Sequence, residues 1–134
     1  MQGFEFCCPT KIVCGAHALD KLPDEVADRG MKHPLVMTDA GLVKLGVAAK
    51  LTGVLDAADV PYEVFDQVPP DSSMDVVNEV ARLYAERGCD GFVAIGGGSV
   101  IDTTKGVAAS LACEGVYFAT LQGSEILKAD LPPF

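Results

Sequence analysis

Three glycines in a row, Gly96-Gly97-Gly98, stand between a short apolar run and a stretch with helical periodicity, and no other feature narrows the possible folds as far. The run before them, Phe92-Val93-Ala94-Ile95, has the length and content of a buried strand. After them Val100, Thr104, Val107, Ala108 and Leu111 recur at the spacing of the face that a helix turns toward a core. Glycine offers a core nothing and is costly to order, so three together need a physical reason. One such reason is close approach. Without Cβ atoms, a diphosphate can lie against the backbone at a helix N-terminus, where free N–H groups and the positive end of the helix dipole favour an anion. Ser99 can add a hydroxyl donor there. The alternative is a tight strand-to-helix turn, with Ser99 as N-cap and Asp102 completing a capping box.

The rest of the chain repeats this alternation. Apolar, β-branched runs predict strands at Lys11–Cys14, Leu35–Thr38 and Tyr62–Phe65 in addition to Phe92–Ile95. Helical patterns cover Ala16–Asp28, ended by Gly30, and Val47–Ala58, halted before Pro61. The clearest runs from Ser73 to Arg87, with Val76, Val77, Val80, Ala81 and Tyr84 on one face and Gly88 as the stop. Ser72 with Asp75 has the spacing of a capping box at its start. A last helix begins near Val100. Strands alternating with helices predict a doubly wound, mostly parallel α/β sheet of Rossmann-like type, and residues 1–134 fit one domain. In such sheets ligands sit beyond the carboxyl ends of the strands, which singles out the residues after Thr38, Phe65 and Ile95. Asp39 is one of them. A carboxylate there can accept both hydroxyls of an adenosine ribose and repel a 2′-phosphate, favouring NAD over NADP, or it can simply begin a turn or helix before Ala40-Gly41.

Composition removes several functional classes. Ten Lys and Arg against nineteen Asp and Glu leave a net charge of −9, the wrong sign for displacing counterions from nucleic acid. The longest apolar runs, such as Val116–Ala119, are far too short to span a bilayer, and Met1–Glu5 lacks the basic and apolar regions of a signal peptide, so the expected location is the cytoplasm. Five cysteines, Cys7, Cys8, Cys14, Cys89 and Cys113, are an odd number without CxxC spacing and read as small buried hydrophobes. His17 and His33 lack partners at ligand spacing, so no metal site is expected from them. The glycine segment is not a P-loop, and Ile101 stands where a G-x-G-x-x-G fingerprint has its third glycine.

The segment Gly96-Gly97-Gly98-Ser99-Val100-Ile101-Asp102-Thr103-Thr104-Lys105 resembles the GGGSxxDxxK signature of the iron-containing (group III) alcohol dehydrogenases. Further matches follow in the family's order: Pro9-Thr10-Lys11-Ile12-Val13-Cys14-Gly15, Leu35-Val36-Met37-Thr38-Asp39 and Val64-Phe65-Asp66-Gln67-Val68-Pro69. The turn that follows reads Pro70-Asp71-Ser72-Ser73 where the family often has an Asn-Pro-Thr-like sequence. The resemblance implies an N-terminal domain that binds NAD or NADP, followed by an all-helical domain whose Asp and His residues hold iron or zinc. Carried over by position, Gly96, Gly97, Gly98 and Ser99 meet the pyrophosphate, Asp39 meets the adenosine ribose, and Asp102 lies near the nicotinamide end. Lys105 belongs to the signature without an assigned role, and a solvated helix position explains it equally. The chain stops at Leu131-Pro132-Pro133-Phe134, before the metal-binding domain that is expected to follow. The implied activity is hydride transfer between a small alcohol or aldehyde and the nicotinamide, with this chain alone expected to turn over no alcohol. Polyol- or glycerol-phosphate dehydrogenases, dehydroquinate-synthase-like lyases and a non-catalytic nucleotide-binding module stand as alternatives. An apolar face left open is expected to drive self-association.

Overall fold

The computed structural model describes residues 10–71, 73–113 and 130–134. Its centre is a parallel sheet of three strands, β1 (Pro34–Met37), β2 (Glu63–Phe65) and β3 (Gly91–Ala94), in the order β2-β1-β3. Helices α1 (Leu22–Asp28), α2 (Ala40–Lys44), α3 (Val47–Ala57), α4 (Met74–Arg87) and α5 (Gly98–Ala112) alternate with them. β1 is buried at every position, which is why Leu35-Val36-Met37 is a continuous apolar run and not an alternating one. Pro34 opens the strand, where its missing N–H interrupts the ladder least.

From β1 the chain crosses to β2 on one side, then back past β1 to β3 on the other. Crossovers of one hand made in opposite directions place their helices on opposite faces of the sheet. Two cores follow. On one face Leu35, Met37, Phe65 and Phe92 pack with Val77 and Val80 of α4 and Val100 and Val107 of α5. On the other, Val36 and Val93 pack with Val26 of α1 and Leu51 and Leu55 of α3. The expected doubly wound α/β architecture is observed.

Several boundaries differ from expectation. Lys11–Cys14 forms no strand among the described residues: Ile12 is 81% exposed, and Lys11 is tied instead to Glu25 of α1 by an ion pair. β-Branched residues make a strand only where a ladder partner completes it. The helix expected over Ala16–Asp28 is a 3-10 turn at Ala18–Lys21 leading into α1, because Pro23 fits only the first turn of an α-helix. Ser73 caps α4, its hydroxyl accepting the Val76 N–H at 3.4 Å, while Ser72, expected to cap it, lies outside the described residues. Gly88 ends that helix in the left-handed region, φ 65°. Thr38 and Ile95 lie just past their strands, yet their N–H groups still donate to Phe65 and Met37 carbonyls at 2.9 Å. Helix α2 begins where Asp39 offered a helix start before Ala40-Gly41, although no periodicity marked it.

Candidate functional site: a crevice at the strand reversal

The reversal of direction occurs around β1, so the segments leaving the carboxyl ends of β1 and β3 diverge and leave a gap between them. A crevice of about 480 Å³ opens there, lined by residues 39–41 after β1, 68–70 after β2 and 97–100 after β3. All three places that the strand-end rule singles out thus meet in one cavity.

The three glycines divide by role. None has a positive φ, so backbone conformation does not require glycine at any of them. Gly96 is explained by packing: a Cβ there would stand 2.4 Å from Val100 Cγ2, and Gly96 is not part of the crevice wall. Gly97 and Gly98 have no such reason. A Cβ on either would meet nothing within 4 Å, and both line the crevice.

Helix α5, like α1 and α3, begins without a side-chain cap, whereas α2 and α4 have one. Asp39 caps α2, its Oδ1 accepting the Leu42 N–H at 2.9 Å, and Ser73 caps α4. The N-cap of α5 is Gly97, in extended conformation, and no side chain caps it. The turn with Ser99 as N-cap is therefore not formed. Ser99 lies inside the first turn, and its hydroxyl donates to the Pro70 carbonyl, clasping one wall of the crevice to another. Asp102 completes no capping box and is not part of the wall. It is exposed, with Lys105 Nζ 4.0 Å from its Oδ1.

Of the two readings of Asp39, the helix start is the one observed. Asp39 also lines the crevice, with Oδ2 accepting no hydrogen bond among the described residues. Val68, Pro69 and Pro70 form an apolar wall opposite, and sequence reasoning assigned none of them a place in the site. The signal was available, since they follow the β2 run just as Asp39 follows β1.

The residues that could serve other chemistries lie elsewhere. Among the described residues no group of three or more His, Cys, Asp or Glu could hold a metal ion. His17 pairs with Asp20 on the surface at 3.1 Å, and His33 faces Glu63 at 4.0 Å near the opposite end of the strands. Cys89 and Cys113 are buried as expected, Cys14 is exposed, and Cys7 and Cys8 lie outside the described residues. No described helix is long and apolar enough to cross a membrane.

Comparison with known proteins agrees with this architecture. The family model for iron-containing alcohol dehydrogenase matches residues 9–134. Choline dehydrogenase of Bacillus subtilis is 35% identical over 99% of this chain and 34% of its own length. Lactaldehyde reductase of Escherichia coli is 41% identical over 69% of this chain and 24% of its own. A crystal structure of an iron-containing alcohol dehydrogenase superposes with a TM-score of 0.85 at 32% identity, covering 98% of this chain and 37% of that one. The chain thus spans about a third or less of the length of the curated relatives it matches. A doubly wound sheet, a glycine turn at its strand reversal and a family match over nearly the whole sequence lead to one conclusion: the chain belongs to the iron-containing alcohol dehydrogenase family.

Proposed function

We propose that residues 1–134 are the dinucleotide-binding domain of a cytoplasmic, metal-dependent alcohol dehydrogenase that uses NAD in preference to NADP. The observation carrying this reading is the pair Gly97 and Gly98. Neither backbone conformation nor packing among the described residues asks for glycine at either position, yet both border the crevice at an uncapped helix start. Space kept clear beside main-chain N–H groups fits a diphosphate.

In this reading the N-terminus of α5 holds the pyrophosphate against Gly97 and Gly98. Gly96 allows Val100 to pack behind that turn. Ser99 holds the Pro70 wall in place, and Asp39 offers its Oδ2 to the adenosine ribose. Asp102, exposed on α5 outside the wall, is assigned to the nicotinamide end. The bound nicotinamide supplies the hydride acceptor or donor. The chain's own part is to bind, orient and seat the dinucleotide. The described residues offer no ligand set for iron or zinc, so no step here is assigned to a metal. The relatives are named for oxidation or reduction of small alcohols and aldehydes, which supports that substrate class. The 134-residue chain by itself is expected to turn over none of them.

Calorimetric titration of the chain with NAD tests this. Gly97→Ala is expected to hold or raise thermal stability, because alanine restricts the unfolded chain and costs up to about 1 kcal/mol less to order. It should also weaken NAD binding by at least about tenfold, since its methyl group fills the space left for the ligand. No heat at millimolar NAD, or an alanine variant that binds equally well, would remove the basis for this function.

A further inference from the structure

We infer that Gly41 sets the discrimination between a ribose 2′-hydroxyl and a 2′-phosphate by leaving room for the Asp39 carboxylate to lie over the start of α2. The inference rests on the proposal that the crevice holds a nicotinamide dinucleotide, and it assigns to Gly41 a positioning role that no motif marks.

Gly41 is exposed, sits in the first turn of α2 and has no positive φ. Its backbone would accept any L-residue, and alanine is a far better helix former. One contact stands against it. A Cβ at position 41 would lie 2.9 Å from Asp39 Oδ1, well inside the 3.4 Å at which ordinary contact begins, and beyond its own helix it would meet nothing else. That oxygen is the one that accepts the Leu42 N–H at 2.9 Å. The missing side chain at 41 and the amide at 42 therefore act on the same atom, one leaving it space and the other holding it. With Oδ1 held, the carboxylate keeps one orientation beside the crevice, whose wall includes both Asp39 and Gly41.

A methyl group at 41 displaces the tip of a flexible side chain, so the protein folds and the carboxylate turns away. Two interactions then respond unequally. A hydrogen bond from a 2′-hydroxyl to Oδ2 depends steeply on distance and angle and is lost. Repulsion of a 2′-phosphate varies only as the inverse of distance, so a carboxylate moved by a fraction of its length keeps most of it. Gly41→Ala therefore weakens NAD without a matching gain for NADP, and the preference narrows from the NAD side. Asp39→Asn narrows it from the other side, by removing the charge.

The test is calorimetric titration of NAD and of NADP into the wild-type chain, Gly41→Ala, Asp39→Asn and Gly53→Ala, with thermal melts of each. Gly53 is an exposed glycine of α3 with nothing within 4 Å of a Cβ, so its alanine variant measures the general effect of replacing a helical glycine. Gly41→Ala is expected to raise the Kd for NAD about tenfold, the loss of one hydrogen bond to a charged group, and to change that for NADP by less than about threefold. Asp39→Asn should tighten NADP, and Gly53→Ala should leave the ratio of the two affinities alone. A Gly41→Ala chain that folds and keeps the wild-type ratio, while Asp39→Asn alters it, overturns the role of Gly41 and leaves the dinucleotide site standing. A wild-type chain that takes up neither nucleotide overturns both.

Discussion

Cys89 lies just before β3, where burial, and after it the charges of Glu63 and Asp90, push its thiol up to about 11 from an ordinary 9.0. Tyr84, stacked on Phe92 with ring centroids 4.7 Å apart, is pushed up to about 12 by burial first and by the Asp90 charge after it. Both groups hold their protons more tightly folded than unfolded. Their contribution to stability is thus fully present below the unfolded pKa values and is lost as pH rises through the folded ones. Melting temperature is expected to fall between about pH 9 and pH 12, and Cys89→Ala should flatten the lower part of that fall, up to about pH 11. A series of thermal melts across that range checks both statements, and an unchanged profile in the variant would show that Cys89 plays no part. The same raised value keeps Cys89 a protonated thiol at neutral pH, in keeping with its place as a small hydrophobe in the core.

Helix α4 has apolar residues on one face, with Val77 and Val80 buried against the sheet, and a capping hydroxyl at its start. Ser73→Ala should cost about 0.5–1 kcal/mol of stability, since the bond to the Val76 N–H is long and exposed, and Ser72→Ala should cost less. Urea denaturation of the two variants distinguishes them, and an equal loss would argue against Ser73 as the cap. The case also marks what could be read from sequence. Adjacent serines, Ser72 and Ser73, satisfy the same local pattern, so local sequence alone offers either as the cap. Helices α4 and α5 were legible because each buries a face that helical spacing reveals, and the runs of the sheet because they are short, apolar and β-branched. Lys11–Cys14 was not, because a strand depends on a partner that composition does not supply. Helix α2 showed no periodicity, its five residues being shorter than any window in which a period can be recognised. At the site, the glycine turn and Asp39 were legible from their positions after strands. The different duties of Gly96 and of its two neighbours were not, because they turn on where Val100 places its methyl groups.

Taken whole, the molecule has two ends of unlike character. At the amino ends of the strands Asp90 accepts the N–H groups of Lys32 and His33 at 2.7 and 2.9 Å, which joins the approaches to β1 and β3 and fixes the sheet from below. At the carboxyl ends the corresponding segments part, and the crevice takes the space between them. Among the described residues its wall contains one charged residue, Asp39, and no lysine or arginine, within a chain whose net charge is −9. In the proposed function, attraction there comes from main-chain dipoles, which act only at contact, while the net negative field of the protein reaches outward and opposes an approaching anion. Ions in the buffer shield the long-range repulsion and leave the short-range attraction nearly intact. Capture of a dinucleotide should therefore quicken as sodium chloride is raised from about 0.01 M to 0.15 M, over which the screening length shrinks from roughly 30 Å to 8 Å. Stopped-flow association rates that fall over this interval would reveal a cation at the entrance. On the proposed function, a hold made by main-chain dipoles at contact would outlast added salt better than one made by distant charges.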